Sequence, residues 1–456
     1  MRKTHHHQPS LIEPWLDLDH AKELQAISGI LDKHPEINEL ILHDLQRAAG
    51  SREPTGAHGL SAEQVVRALI VKQLTGFSYR DLAFHLADSR TYQTFCRIGM
   101  GQAPPSKSAL QATIKALRAE TLEQINRILV RAAVGAGVES GRTVRVDCTV
   151  VEANIHHPID SGLLWDSVRV VVRLMKQARE VLGSEVIVFS DRTRRAKRRR
   201  YAINNARRQS QRKPAYRDLL KAANETYAFA IQVRQVLAQP HDVDPVHAGM
   251  LDAVAGKLDY YLPLMQRVID QTRRRVLESE KVPAADKVVS IFENHTDIIS
   301  KGGRDTFYGH KICLTTGRSS MVLDCVVLDG NPADSTLTVE MVERQEKLYD
   351  RAPKQAAFDG AFGSAANLAS LKDIDGVQDV VFCKGKGLAI SDMAKSSWVY
   401  RRLRNFRAGI EGVISFLKRV FGLDRCTWRS RPSFHSYVWS SIVTCNLLVM
   451  ARHQLA

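Results

Sequence analysis

Apolar residues recur every three to four positions along the first 140 residues, the period of helices buried on one face. In "GLSAEQVVRALIVKQLTGFSYRDLAFHLADS", Val66, Leu69, Ile70 and Leu74 share one helical face. Ser61 with Gln64, and Ser78 with Asp81, supply helix-start signals. Gly76 separates the two runs, which predicts either a helix-turn-helix or a plain helical packing unit. "GQAPPSKSALQATIKAL" predicts a proline-marked loop and a further helix.

The period changes at residue 143. "TVRVDCTVVEAN" alternates and is β-branched, which predicts a strand. Residues 164 to 285 return to the helical period. "KVVSIFE", "GHKICLTT" and "MVLDCVVLDG" then predict short strands of an antiparallel meander. "LTVEMVERQEKLY" predicts a helix, "KQAAFDGAFGS" a strand running into a glycine-rich turn, and "VQDVVFCKG" another strand. The last 60 residues read as helix, and "NFRAGIEGVISFLKRVFGL", 405–423, as one amphipathic helix. The fold class is therefore α/β, with a helical N-terminal region and a helical block inserted after the first strand.

Composition narrows the partners. The 456 residues are 44% hydrophobic and 25% charged, as in a globular protein with a sizeable core. The net charge is +16, which favours a polyanionic partner, nucleic acid before an anionic membrane. No run of apolar residues is long enough to span a bilayer, and "MRKTHHHQPSLIEPWLDLDH" lacks the apolar centre of a secretory signal. The seven cysteines are scattered, without a CxxC pair, which argues against a disulfide framework or a zinc finger and for a reducing cytoplasm. The positive charge concentrates in 192–217, "RTRRAKRRRYAINNARRQSQRKPAYR", with twelve Lys/Arg and no acid. Such a run is a solvated arm or a phosphate-binding surface. Read as a helix up to Pro214, it brings Arg207, Arg208, Arg212 and Lys213 near one another as backbone contacts to DNA.

Three carboxylates carry candidate chemistry. Asp147 lies inside the first apolar strand, where an acid is costly unless paired or bound to a metal. Asp359 ends a later strand, where ligand sites gather, and glycines follow it. Glu411 stands on the 405–423 helix, in a stretch, 401–431, with nine Lys/Arg and one other acid, Asp424. On a continuous helix Arg404, Arg407, Glu411 and Lys418 fall within roughly 60° of one another. Two aspartates on neighbouring strands and a glutamate on a facing helix offer hard oxygen donors for two Mg²⁺ (or Mn²⁺) ions. An ordinary Arg407–Glu411 surface pair has the same spacing.

The ordered set resembles the DDE transposases of bacterial insertion sequences, close to the IS5-like and IS4-like groups. Arg407-x3-Glu411-x6-Lys418 matches the family's R-x3-E-x6-K signature, "DGAFGS" its second-aspartate motif, and "VDCTVVEANIHHPIDSGLLWD" its first-aspartate block. The N-terminal helical pattern quoted above resembles the family's helical domain. Arg404 stands where the IS4-like pattern has a tyrosine three residues before the arginine. The resemblance implies an RNase H-like catalytic core, metal-binding and catalytic roles for Asp147, Asp359 and Glu411, and phosphate contacts from Arg407 and Lys418. It implies a substrate of terminal inverted repeats and target duplex, and a homodimer in the DNA complex.

The expected organisation is a DNA-binding or dimerisation region at 1–140, a core made of 141–163 and 286–456, and an insertion at 164–285. Lys418 is expected at the surface beside Glu411, against DNA phosphate. Two other functions use the same sequence: a DNA-binding protein with an inactive core, and a nuclease that does not join strands. Asn154, His156 and His157 follow the first strand and are secondary candidates. Asp329 and Asp334 read as turn residues, Cys148 as facing away from Asp147, and the 385–387 GKG lacks the spacing of a P-loop.

Overall fold

The computed structural model describes Thr4 and residues 17–50, 59–99, 101–301, 305–383 and 387–456. The 385–387 GKG thus lies largely outside the described residues. The chain forms two compact units, one of residues 1–154 and 299–456, the other of residues 155–298.

The first unit holds the sheet. Its strands are β1 (Thr143–Glu152), β2 (Asp297–Lys301), β3 (Asp305–Thr316), β4 (Val322–Val327), β5 (Gln355–Phe358) and β6 (Asp379–Phe382). The order is β2-β3-β1-β5-β6, with β4 also paired to β3. β1 runs antiparallel to β3 and parallel to β5, and β5 runs parallel to β6. An antiparallel meander on one side of β1 and a parallel pair on the other is the RNase H-like arrangement that the resemblance implied. β5 and β6 are buried at every position, as strands covered on both faces must be.

"KVVSIFE" is not a strand. Val288 and Ile291 are buried in the helical core of the second unit. The backbone of Val288 exchanges hydrogen bonds with the Gln271 side chain, and the Ser290 hydroxyl accepts from the N–H groups of Phe292 and Glu293. These polar groups find partners without a sheet neighbour. The strand begins later, at Asp297.

The helix Arg431–Leu455 is the spine of this unit. Sixteen of its 25 residues are buried, around its whole circumference. It alone among the described helices is long and apolar enough to cross a membrane, and 89% of its apolar window is covered by protein. A helix apolar all round needs partners on every side. Ala119–Gly135, Asp19–Asp32 and Ala62–Thr75 pack against it, as does β4. Asn446 on the helix bonds to Asn126 and to both backbone groups of Val322. The N-terminal helices and the sheet therefore share one apolar core. Within it Arg67, 1% exposed, bonds to Glu63, Asp32, Ser28 and the Phe95 carbonyl.

The predicted capping box of Ser61 and Gln64 forms, and Ser78 caps the next helix. The outward face of that helix, Tyr79–Asp88, carries Arg80 but also Asp81, Asp88 and the exposed Phe84. It has no cationic stripe of the kind that grips a phosphate backbone.

The second unit is a helical bundle with its own core, built from Asp160–Leu182, Thr193–Asn205, Gln209–Leu237 and Pro245–Thr272. Residues 155–163 group with this bundle rather than with the sheet.

Candidate active site

The two aspartates are brought together by strand register. On the parallel pair, Thr143 faces Gln355 and Val146 faces Phe358. Carrying that register one residue further sets Asp147 beside Asp359, just past the end of β5. Asp147 is mostly buried, and its Oδ1 accepts from the Cys148 N–H at 2.8 Å.

The third carboxylate comes from the helices that cover this edge. The predicted single helix over 405–423 is two, Ser397–Ala408 and Ile410–Val420, divided at Gly409. The first packs on β5 and β6 through Val399 and Leu403, against Ala357 and Val381. The second buries Ile410, Val413, Ile414 and Leu417. Arg407 lies in the last turn of the first helix, and Glu411 in the first turn of the second, where the helix dipole favours an acid.

One guanidinium joins all three acids. Arg407 Nη2 lies 2.7 Å from Asp147 Oδ2 and 3.7 Å from Asp359 Oδ1, and its Nη1 lies 3.4 Å from Glu411 Oε1. Exposure rises across the set, with side chains of Asp147, Asp359 and Glu411 at 13%, 43% and 64%. Burial pushes the Asp147 carboxyl up to about 6; Glu411 and Asp359 add to the shift, while Arg407 and the Cys148 N–H oppose it. One positive charge does not balance three acids, and Arg407 Nε is buried without a hydrogen-bond partner. The site has oxygen donors in surplus over cations. Among the described residues no three acidic, histidine or cysteine side chains stand close enough to ligate one ion, and Arg407 occupies the space between the three carboxylates. The donor set, all carboxylate oxygen and negative in excess, suits a hard divalent cation at the position the guanidinium now fills.

The other expected residues lie elsewhere. Arg404 is exposed on the Arg407 helix. Lys418 is not free at the surface: it is half-buried and its Nζ lies 3.4 Å from Asp424. Asn154 donates to the Thr427 carbonyl, and His156 and His157 are exposed. Asp334 pairs with Lys311, and Asp329 with Arg431. All seven cysteines are free thiols. Cys148 faces Cys313 across β1 and β3 rather than the acids. In the helical unit, "NNARRQSQRKPAYR" is not one helix: Thr193–Asn205 ends at its second residue and Gln209–Leu237 begins within it. Arg207, Arg208 and Arg212 are exposed around this break and Lys213 is half-buried. Nor is the basic run without counter-charge. Arg195 and Arg199 bond to Asp218, and Arg192 pairs with Glu225. The Arg195 hydrogen bond is the largest influence holding the Asp218 carboxyl down at about 2.

Asp147 gives the site a pH signature. A carboxyl raised from 3.8 to about 6 on folding holds a proton that the unfolded chain has lost. The Asp147 contribution to folding stability therefore falls as pH rises from about 4 to 6 and is level above that range. Asp147→Asn removes this dependence. In urea titrations without divalent metal, wild type should lose on the order of 2 to 3 kcal/mol relative to the variant between pH 4 and 6.5. Parallel stability curves for the two proteins would show that Asp147 titrates normally.

Two family models match parts of the chain. A family model described as "Transposase DDE domain" matches residues 266–447, which include β2 to β6, Asp359, Arg407 and Glu411. A second, "Transposase domain (DUF772)", matches residues 12–115, the N-terminal helices. No curated protein and no solved structure matches the chain. Both matches are to transposase domains, and the chain belongs to the DDE transposases.

Proposed function

We propose that this chain cleaves DNA at the ends of an insertion sequence and joins the freed ends to target DNA, with Asp147, Asp359 and Glu411 as the catalytic acids. The convergence of these three side chains on one cation position supports the reading. Mg²⁺ or Mn²⁺ held there, as a pair of ions, would supply polarisation of the scissile phosphodiester and a water of lowered pKa. In cleavage the water oxygen bonds to phosphorus and the 3′ oxygen leaves, taking a proton. In joining, that 3′ hydroxyl bonds to a target phosphorus and the target's own 3′ oxygen leaves.

The residues around the acids have matching tasks. Arg407 offers a planar fork of N–H donors suited to a phosphate. Arg404, exposed on the preceding turn, extends the positive surface along the same helix. Lys418 reaches phosphate only by leaving Asp424. Action on two element ends calls for two chains, hence a homodimer in the DNA complex.

Asp147→Asn, Asp359→Asn and Glu411→Gln should each reduce cleavage of an end-bearing duplex by at least about 10³-fold. DNA affinity should stay within about threefold, because binding rests on Lys/Arg contacts to phosphate. Near wild-type cleavage by any one variant removes that residue from the site. Cleavage without joined products assigns the chain to hydrolysis alone.

The helical unit contributes a second contact in this proposal. Arg207 and Arg208 in the connection between two helices, with Arg212 and Lys213 at the start of the second helix, clamp the DNA backbone beside the cleaved end. Changing all four to alanine should flatten the slope of log K against log salt by about 3 to 4 units, equally on specific and random duplexes. An unchanged slope returns the segment to a solvated surface.

A further inference from the structure

Arg145 lies on β1 two residues before Asp147, so both side chains leave the same face of the strand. Its residue is only 5% exposed. Its Nε donates to Thr316 Oγ1 at 2.9 Å, Nη1 to the Phe406 carbonyl at 2.8 Å, and Nη2 to Ser320 Oγ at 3.3 Å. The guanidinium carbon also sits 4.6 Å from the centre of the Phe406 ring. Among the described residues it has no carboxylate within ion-pair distance. A buried charge whose direct partners are neutral oxygens and an aromatic ring, with the Glu139 carboxylate acting from farther off, is costly, and nothing in the cleavage chemistry uses it directly.

What it touches explains the break between Arg407 and Glu411. In an uninterrupted helix the Phe406 carbonyl accepts from the N–H four residues on. Here it accepts from Arg145 and, at 3.1 Å, from the Gly409 N–H three residues on. A side chain entering the ladder in this way is a recognised cause of a helix kink. Gly409 has φ −67° and ψ −12°, a conformation open to every residue. Its lack of a side chain is therefore a matter of space. A Cβ built there would lie 2.2 Å from Arg145 Nη1 and 3.3 Å from the Phe406 carbonyl oxygen. The guanidinium has little freedom to retreat, since all three of its nitrogens are bonded.

We infer that Arg145 is a positioning residue: by inserting between the two helices at Gly409 it sets the offset of Glu411 from Arg407 and so places the third carboxylate over β1. This inference rests on the reading of the three acids as the catalytic set. Arg145 and Gly409 then act as a pair, the glycine leaving the space that the arginine fills.

The test is a double-mutant cycle of Gly409→Ala, Arg145→Ala and the combination. It is read by single-turnover cleavage, by Mn²⁺ affinity without DNA from electron paramagnetic resonance, and by thermal unfolding. Gly409→Ala should lower cleavage about 100-fold, the order expected for a misplacement of about 1 Å, and weaken Mn²⁺ binding. In the Arg145→Ala background the same alanine should cost no more than about twofold in either readout, because its methyl group then has room. Wild-type behaviour of Gly409→Ala, or single losses that multiply in the double variant, would overturn the inference. If Gly409→Ala does not fold, the comparison of Arg145→Ala with the double variant decides. Equal melting temperatures support the pairing, and a double variant that also fails to fold contradicts it. Full cleavage and Mn²⁺ affinity in Asp147→Asn would instead sink the underlying assignment of the acids, whatever the cycle shows.

Discussion

Three carboxylates held around one guanidinium are the constraint from which the rest of this structure follows. Burial raises the carboxyl of Asp147, the most buried of them, to about 6, and the two neighbouring acids add to the shift. The arrangement persists because each acid is fixed by something larger than itself. Asp147 and Asp359 are set by the parallel register of β1 and β5. Glu411 is set by the helix that begins at the Gly409 break, where Arg145 reaches across from β1. The three acids are thus held by a rigid frame, the arrangement that the proposed cation site needs.

That frame is anchored from below by the apolar helix Arg431–Leu455. Because it is buried on all sides, it ties the N-terminal helices and β4 into one core. The N-terminal helices therefore do not fold around a core of their own, and their outward face at Tyr79–Asp88 is of mixed charge. In the helical unit, Asp218 and Glu225 neutralise part of the basic run, and Arg207 and Arg208 stand exposed in the connection that follows it.

Much of this was legible from the chain. The alternation in 143–154 gave β1, the glycine-rich turn after Asp359 marked the end of β5, and Ser61 with Gln64 marked a helix start. Local signals sufficed because local physics decides those features. Where the deciding partner is distant in sequence, the reading failed. "KVVSIFE" has a strand's composition, yet Gln271 satisfies its backbone. The 405–423 helix has an unbroken amphipathic pattern, yet a side chain from residue 145 interrupts it. The counter-charges of the 192–217 run lie outside the run. The role of Arg145 is not legible from the chain, since an arginine in an alternating strand reads as the solvent-facing position. The one available signal was a glycine inside a helical pattern with no turn chemistry around it.

The central claim is that Arg407 and a divalent cation compete for the same three carboxylates. The most direct measurement is Mn²⁺ affinity of the DNA-free protein, wild type against Arg407→Ala, by electron paramagnetic resonance of the free ion. Removing a positive charge from among the donors should tighten Mn²⁺ binding about tenfold or more, and adding Asp147→Asn to that variant should abolish the gain. Unchanged or weaker binding by Arg407→Ala would contradict the account and make the guanidinium a permanent part of the site.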